Sequence, residues 1–103
     1  MNRMKPLHPG VMVRENIKEL GLSITKTADI MKISKQQLHR IIKGTNPITS
    51  ETAYRLGLLF GNGARFWIAL QAHYDAFMIE HAYKTDTAKK NIEKEIVREL
   101  ETV

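Results

Sequence analysis

Apolar residues recur at helical spacing in five stretches of this chain, and each stretch is bounded by residues that cap or break helices. Pro9 and Gly10 open a first helix through about Leu20, with Val11, Val13, Ile17 and Leu20 as its apolar positions and Gly21 as its stop. Leu22 and Ser23 lead directly into a second, in which Ile24, Ala28 and Met31 share one face. Between a Ser34 cap and a Gly44 stop, Leu38, Ile41 and Ile42 fall at the i, i+3, i+4 spacing of a third. Thr45-Asn46-Pro47-Ile48 then reads as a turn, after which Thr49 or Ser50 caps a fourth helix through about Phe60. Ala53, Leu56, Leu59 and Phe60 supply its inward face, and Glu51 in its first turn suits the positive end of a helix. Nothing alternates in the manner of a strand, so the pattern predicts an all-α chain with five small helices around one core.

The fifth helix, roughly Ala64 to Tyr83 after the Gly61-Asn62-Gly63 break, is longer than so small a core needs. Trp67, Leu70, Tyr74, Phe77 and His81 follow one another at intervals of 3, 4, 3 and 4, with Phe66 and Met78 widening the stripe. The N-terminal half of such a stripe is expected to be core. Its C-terminal half has less domain left to cover it and is expected to meet a second subunit. Trp67, Leu70, Tyr74, Phe77 and His81 are therefore the candidate dimer interface, with Gln71 and Asp75 as polar flank. Beyond Thr85, Ile92, Ile96 and Leu100 recur at i, i+4, i+8 with Val97 alongside, which is too little apolar surface to hold an isolated helix in water. The chain thus divides into an N-terminal arm over 1–8, a helical domain over 9–83 and an amphipathic or mobile tail over 84–103.

Chemistry concentrates in the third helix. Once Leu38, Ile41 and Ile42 turn inward, Lys35, Gln36, Gln37, His39, Arg40 and Lys43 are left facing out. Gln can bond adenine bidentately, Arg and Lys can bond guanine, and both cations can bond phosphate. His39 can also reach a phosphate, more strongly when protonated. The helix in front carries a small Ala28 that permits close approach, and Lys32-Ile33-Ser34 joins the two tightly. Two short helices so joined, the second polar and basic outside, match a helix-turn-helix. The turn departs from the usual pattern because Lys32 stands where Gly is common. A left-handed Lys costs roughly 1 kcal/mol or more, so the turn is expected to close in another way.

Charge sharpens this picture. The 103 residues carry a formal net charge of +5, and the excess is not evenly spread. Residues 1–60 hold ten Lys and Arg against four acids, whereas residues 61–103 hold six against seven. The whole positive excess lies with the helix-turn-helix, as in a polyanion binder. The absence of cysteine excludes disulfides and thiolate metal sites and points to a reducing cytoplasm. No apolar run approaches the roughly 20 residues of a spanning helix, so a soluble protein with no membrane partner is expected. Catalysis finds no support. His8, His39, His73 and His81 form no metal-binding spacing, and there is no glycine-rich phosphate loop, cysteine nucleophile or paired-acid signature. No enzyme, cofactor, metal site or small-molecule substrate is expected.

Several blocks together resemble a known family: Leu7-His8-Pro9-Gly10, Gly21-Leu22-Ser23, Ala28, Leu38 to Gly44, Pro47-Ile48-Thr49, Ala53-Tyr54-Arg55-Leu56, and Phe66-Trp67-Ile68-Ala69-Leu70-Gln71 with Tyr74-Asp75. They are similar to HigA and VapI antitoxins within the Xre, or Cro/C1-type, helix-turn-helix group. The resemblance implies a five-helix, lambda-repressor-like domain with a C-terminal helical extension. It also implies a homodimeric antitoxin that silences a HigB/RelE-like mRNA-cleaving toxin and represses its own operon by binding operator DNA in the major groove. Carried over by position, Lys35, Gln36 and Gln37 match the base-contacting start of the recognition helix, and Arg40 matches a later reader. Ser34 and Thr25 match helix starts that touch phosphate, with Lys26 and Lys43 as backbone contacts. Some members hold their toxin through the N-terminal segment, here Asn2 to Leu7. The alternative reading is a stand-alone Xre-family transcriptional regulator with no toxin partner, and a third is a protein adaptor that binds no specific DNA.

Overall fold

A computed structural model describes residues 5–103, so the first four residues of the expected arm, and with them part of the Asn2 to Leu7 toxin surface, lie outside the described residues. Among the described residues the chain is entirely helical: α1 (Pro9–Glu19), α2 (Ile24–Met31), α3 (Lys35–Lys43), α4 (Ser50–Phe60), α5 (Ala64–Thr85) and α6 (Thr87–Glu101). The first five follow the apolar pattern. The sixth occupies the segment that the pattern left open between helix and mobile tail.

Side-chain caps explain where most helices begin. Ser23 Oγ accepts from the Lys26 amide at 3.0 Å, Ser34 Oγ from Gln37 at 3.0 Å, and Thr49 Oγ1 from Thr52 at 3.3 Å. Each such cap satisfies one orphan donor of the first turn and contributes about 1 kcal/mol. His8 caps α1 unusually, its ring Nδ1 accepting from the Gly10 amide at 2.9 Å. Asp86, the single residue between α5 and α6, caps α6 through the Lys89 amide at 3.1 Å.

The core is built from Val13, Ile17, Ala28, Met31, Leu38, Ile41, Ile48, Ala53, Leu56 and Trp67, drawn from α1 to α5 and the turn before α4. Ile24, Ile42, Leu59 and Phe60 lie partly buried against it. Val11 and Leu20, placed on the inward face of α1 by the pattern, are exposed. Gly10 has a specific reason to be glycine: a Cβ there would collide with the Ile41 carbonyl of α3. The start of α1 therefore presses directly on the backbone of α3, and the two helices are held as one unit.

Two expectations for α5 are corrected. Trp67, expected at a dimer interface, is 0% exposed within a single protomer. Its ring packs between Phe60 and Phe66, and its Nε1 donates to Asn62 Oδ1 at 2.8 Å, so no surface of it remains for a partner. Gln71, expected as polar flank, is 6% exposed and tertiary in role. Its Oε1 accepts from the Ile48 amide at 2.8 Å, and its Nε2 donates to Asp75 Oδ1 at 2.9 Å. Leu70 is also partly buried on the core. Tyr74 is half-buried, edge-on to the His8 ring with centroids 5.0 Å apart.

Beyond Tyr74 the chain leaves the body. The molecule measures 56 × 28 × 25 Å with a radius of gyration of 17.6 Å, whereas a compact chain of this length has about 13 Å. Phe77 is half-buried and stacks on the exposed His81 ring, centroids 6.1 Å apart. Lys89 lies over Tyr83, which ties the first turn of α6 to α5. No residue of α6 is buried, and Ile92, Ile96, Val97 and Leu100 all stand exposed.

Candidate nucleic-acid interface

Helix α3 is closed at both ends. Ser34 caps its start, and Gly44, at φ 81°, ends it in the left-handed region that a side chain rarely adopts. The Gly44 amide bonds the Ile41 carbonyl at 3.1 Å and the Thr45 amide bonds the Arg40 carbonyl at 3.0 Å. His8 lies behind this cap, since a Cβ on Gly44 would stand 3.3 Å from its ring.

Leu38 and Ile41 anchor one side of α3 in the core. At about 100° per residue, Lys35, Gln36, His39, Arg40 and Lys43 then fall on one continuous outward face. Lys35, Gln36, Arg40 and Lys43 are exposed, and His39 is half-buried. Gln37 is half-buried at the border with the core, so it belongs to the edge of this face and not its centre. Thr25 and Lys26, in the first turn of α2, are exposed, as is Ser34. Ser34 Oγ accepts from the Gln37 amide in its cap and still carries a hydroxyl proton to donate. The face carries three cations and no carboxylate, which suits an anionic partner.

The turn between α2 and α3 does not close in another way. Lys32 adopts the left-handed conformation, φ 59° and ψ 39°, which is unfavourable for Lys by about 1 kcal/mol or more. The Lys32 amide bonds the Asp29 carbonyl at 3.2 Å and the Ile33 amide bonds the Ala28 carbonyl at 3.1 Å, the same closure that Gly44 gives α3. Against this turn lies a residue that the sequence reading left without a role. Arg55 of α4 donates from Nη1 to the Met31 and Lys32 carbonyls, each at 2.8 Å, and from Nη2 to Glu51 Oε1 at 2.8 Å. Glu51 and Arg55 at i, i+4 are legible in sequence as an ion pair. The reach to α2 is tertiary and is not.

His8, the histidine just before Pro9-Gly10, is a structural residue whose ring caps α1. Partial burial lowers its pKa below the ordinary histidine value, and the nearby Asp75 carboxylate opposes this in part. The neutral ring is the form its cap requires, because Nδ1 must accept. Among the described residues no group of three or more His, Asp or Glu is placed to hold a metal, and no helix is long and apolar enough to cross a membrane.

The HTH_3 helix-turn-helix family matches residues 13–66, from within α1 to the start of α5. The chain belongs to that family. Virulence-associated protein A' of Dichelobacter nodosus is 39% identical over 75 residues, 71% of this chain and 65% of that protein. Among solved structures, an addiction module antidote protein of the HigA family from Coxiella burnetii is 36% identical with a TM-score of 0.72, over 89% of this chain and 96% of that one. The Pseudomonas aeruginosa antitoxin HigA, solved with the higBA promoter, is 32% identical with a TM-score of 0.76, over 87% and 94% of the two chains. The chain is thus a helix-turn-helix protein of the HigA and VapI type, and its family is one of DNA-binding regulators and antitoxins.

Proposed function

We propose that this chain is an antitoxin that neutralises a HigB/RelE-like mRNA-cleaving toxin and represses its own operon as a homodimer bound to operator DNA. The observation that carries the DNA half is the outward face of α3, where Lys35, Gln36, His39, Arg40 and Lys43 stand on a helix capped at both ends and pinned by α1. A rigid helix with such side chains matches the shape and the donor pattern of a major groove. The likeness to a HigA solved with its promoter supports the same reading. In this reading Gln36 and Arg40 read base edges, Lys35 and Gln37 support them, and Thr25, Lys26, Ser34, His39 and Lys43 fix the phosphates.

Two half-sites one helical turn apart need two recognition helices, and the protruding end of the molecule is the surface proposed to join two protomers. With Trp67 committed to the core, Phe77 and His81 remain on the α5 stripe, and the apolar residues of α6 stand exposed beyond it. The toxin half rests on the antidote relatives alone. Its test is expression of the neighbouring small basic reading frame in cells with and without this chain. Arrest of growth that this chain relieves, with copurification of the two proteins, is the expected outcome. Unimpaired growth and no copurification would leave a stand-alone regulator.

A further inference from the structure

The two helices of the motif end in the same hydrogen-bonded closure, yet one ends on glycine and the other on lysine. Gly44 needs no support for its positive φ, whereas Lys32 holds φ 59° against its own Cβ. Among the described residues, only the lysine closure receives hydrogen bonds from a side chain of another helix. The Arg55 guanidinium binds the Met31 and Lys32 carbonyls, each at 2.8 Å, which α2 leaves without helical partners at its negative end. Glu51 holds the other side of the fork at 2.8 Å and fixes the plane of the guanidinium. If Lys32 relaxed to right-handed values, α2 would continue by a residue and α3 would leave it in a different direction.

We infer that Arg55 is the positioning residue of the DNA-reading surface: by bracing the left-handed Lys32 turn it sets the angle of α3 to α2, and so the register in which α3 meets a groove. This rests on the operator-reading function proposed above for its DNA consequences, and on the turn alone for its consequences for folding. Arg55 acts through the backbone of the turn and touches no base in this account. Its removal should therefore be compensated by any change that makes the turn stable without it, and glycine at position 32 is such a change.

The test uses the full chain and four variants: Arg55→Met, Lys32→Gly, the double variant, and Arg55→Lys. Binding is titrated on the duplex upstream of the chain's own reading frame and on a random duplex of equal length, and urea midpoints are measured without DNA. Arg55→Met should reduce the ratio of the two affinities at least tenfold while changing random-duplex binding by less than about threefold, since that binding depends on charge and not register. Lys32→Gly alone should leave the ratio unchanged, the double variant should recover most of it, and Arg55→Lys should recover part. A ratio within twofold of the native value in Arg55→Met overturns the inference. So does a folded double variant that recovers nothing. Equal losses on both duplexes with a shallower salt dependence also overturn it, because they assign Arg55 to a phosphate. Should Arg55→Met fail to fold, recovery of a cooperative urea transition in the double variant supports the brace, and continued failure to fold overturns it. If the native chain shows no preference between duplexes, the function proposed above fails by itself. The brace is then judged by whether Lys32→Gly suppresses the urea-midpoint loss of Arg55→Met.

Discussion

Gln36 and Arg40 carry planar forked ends that can bond two atoms of one base edge, whereas Lys43 carries a point charge on a flexible stem. That difference separates their expected variants. Gln36→Ala or Arg40→Ala should cost about 1 to 3 kcal/mol at the operator and relax specificity there. Lys43→Ala should weaken binding to every sequence alike and reduce the slope of log affinity against log salt by about one. Equal losses on operator and random duplexes for all three would place the reading face elsewhere. His8 makes a different residue-scale prediction. Its folded pKa lies below the unfolded value of about 6.5, so between the two the unfolded chain binds more protons. Stability should then be complete above about pH 7 and fall as pH drops through about 6.5. Protonation also removes the Nδ1 acceptor that caps α1. Urea midpoints measured across that range should fall toward acid in the native chain and flatten in His8→Ala.

At the scale of elements, α5 changes character along its length. Trp67 and Gln71 lock its first half into the body, and nothing beyond them is buried. Trp67→Ala should cost about 3 to 5 kcal/mol, much of the stability of so small a domain. Gln71→Leu should cost about 1 to 3 kcal/mol by stranding the Ile48 amide. Chemical denaturation checks both. The sequence made the helices legible, because caps such as Ser34 and stops such as Gly44 are local chemistry and apolar spacing survives without any knowledge of the fold. The outward residues of α3 were legible for the same reason. Gln71 and Arg55 were not. Each is a polar residue whose partner lies more than 20 positions away, on Ile48 for one and on Met31 and Lys32 for the other. Spacing along one helix can say that such a residue flanks a stripe, but not that a distant amide or carbonyl needs it. Trp67 was ambiguous because a stripe at helical spacing looks the same whether its own domain or a second subunit covers it.

The whole molecule is a compact helical body from which the end of α5 and α6 protrude. Helix α6 has 15 residues, none of them buried, and a helix of that length is marginal in water by itself. Its exposed Ile96, at 55%, and Leu100, at 69%, are the surface proposed to gain cover from a second protomer. Ile96→Asp should therefore leave the unfolding free energy of the monomeric body nearly unchanged, within about 0.5 kcal/mol, while weakening self-association in sedimentation equilibrium at least tenfold. An unchanged association constant would move the dimer contact off α6.

Reading of sequence, and not mere attraction of nucleic acid, is the function proposed for the outward face of α3. It is tested most directly by titrating the native chain, at physiological salt, against the duplex upstream of its own reading frame and against a random duplex of equal length. A sequence reader of this class prefers its site by about a thousandfold or more, and that preference is the predicted result. Equal affinities for the two duplexes would contradict sequence reading by α3.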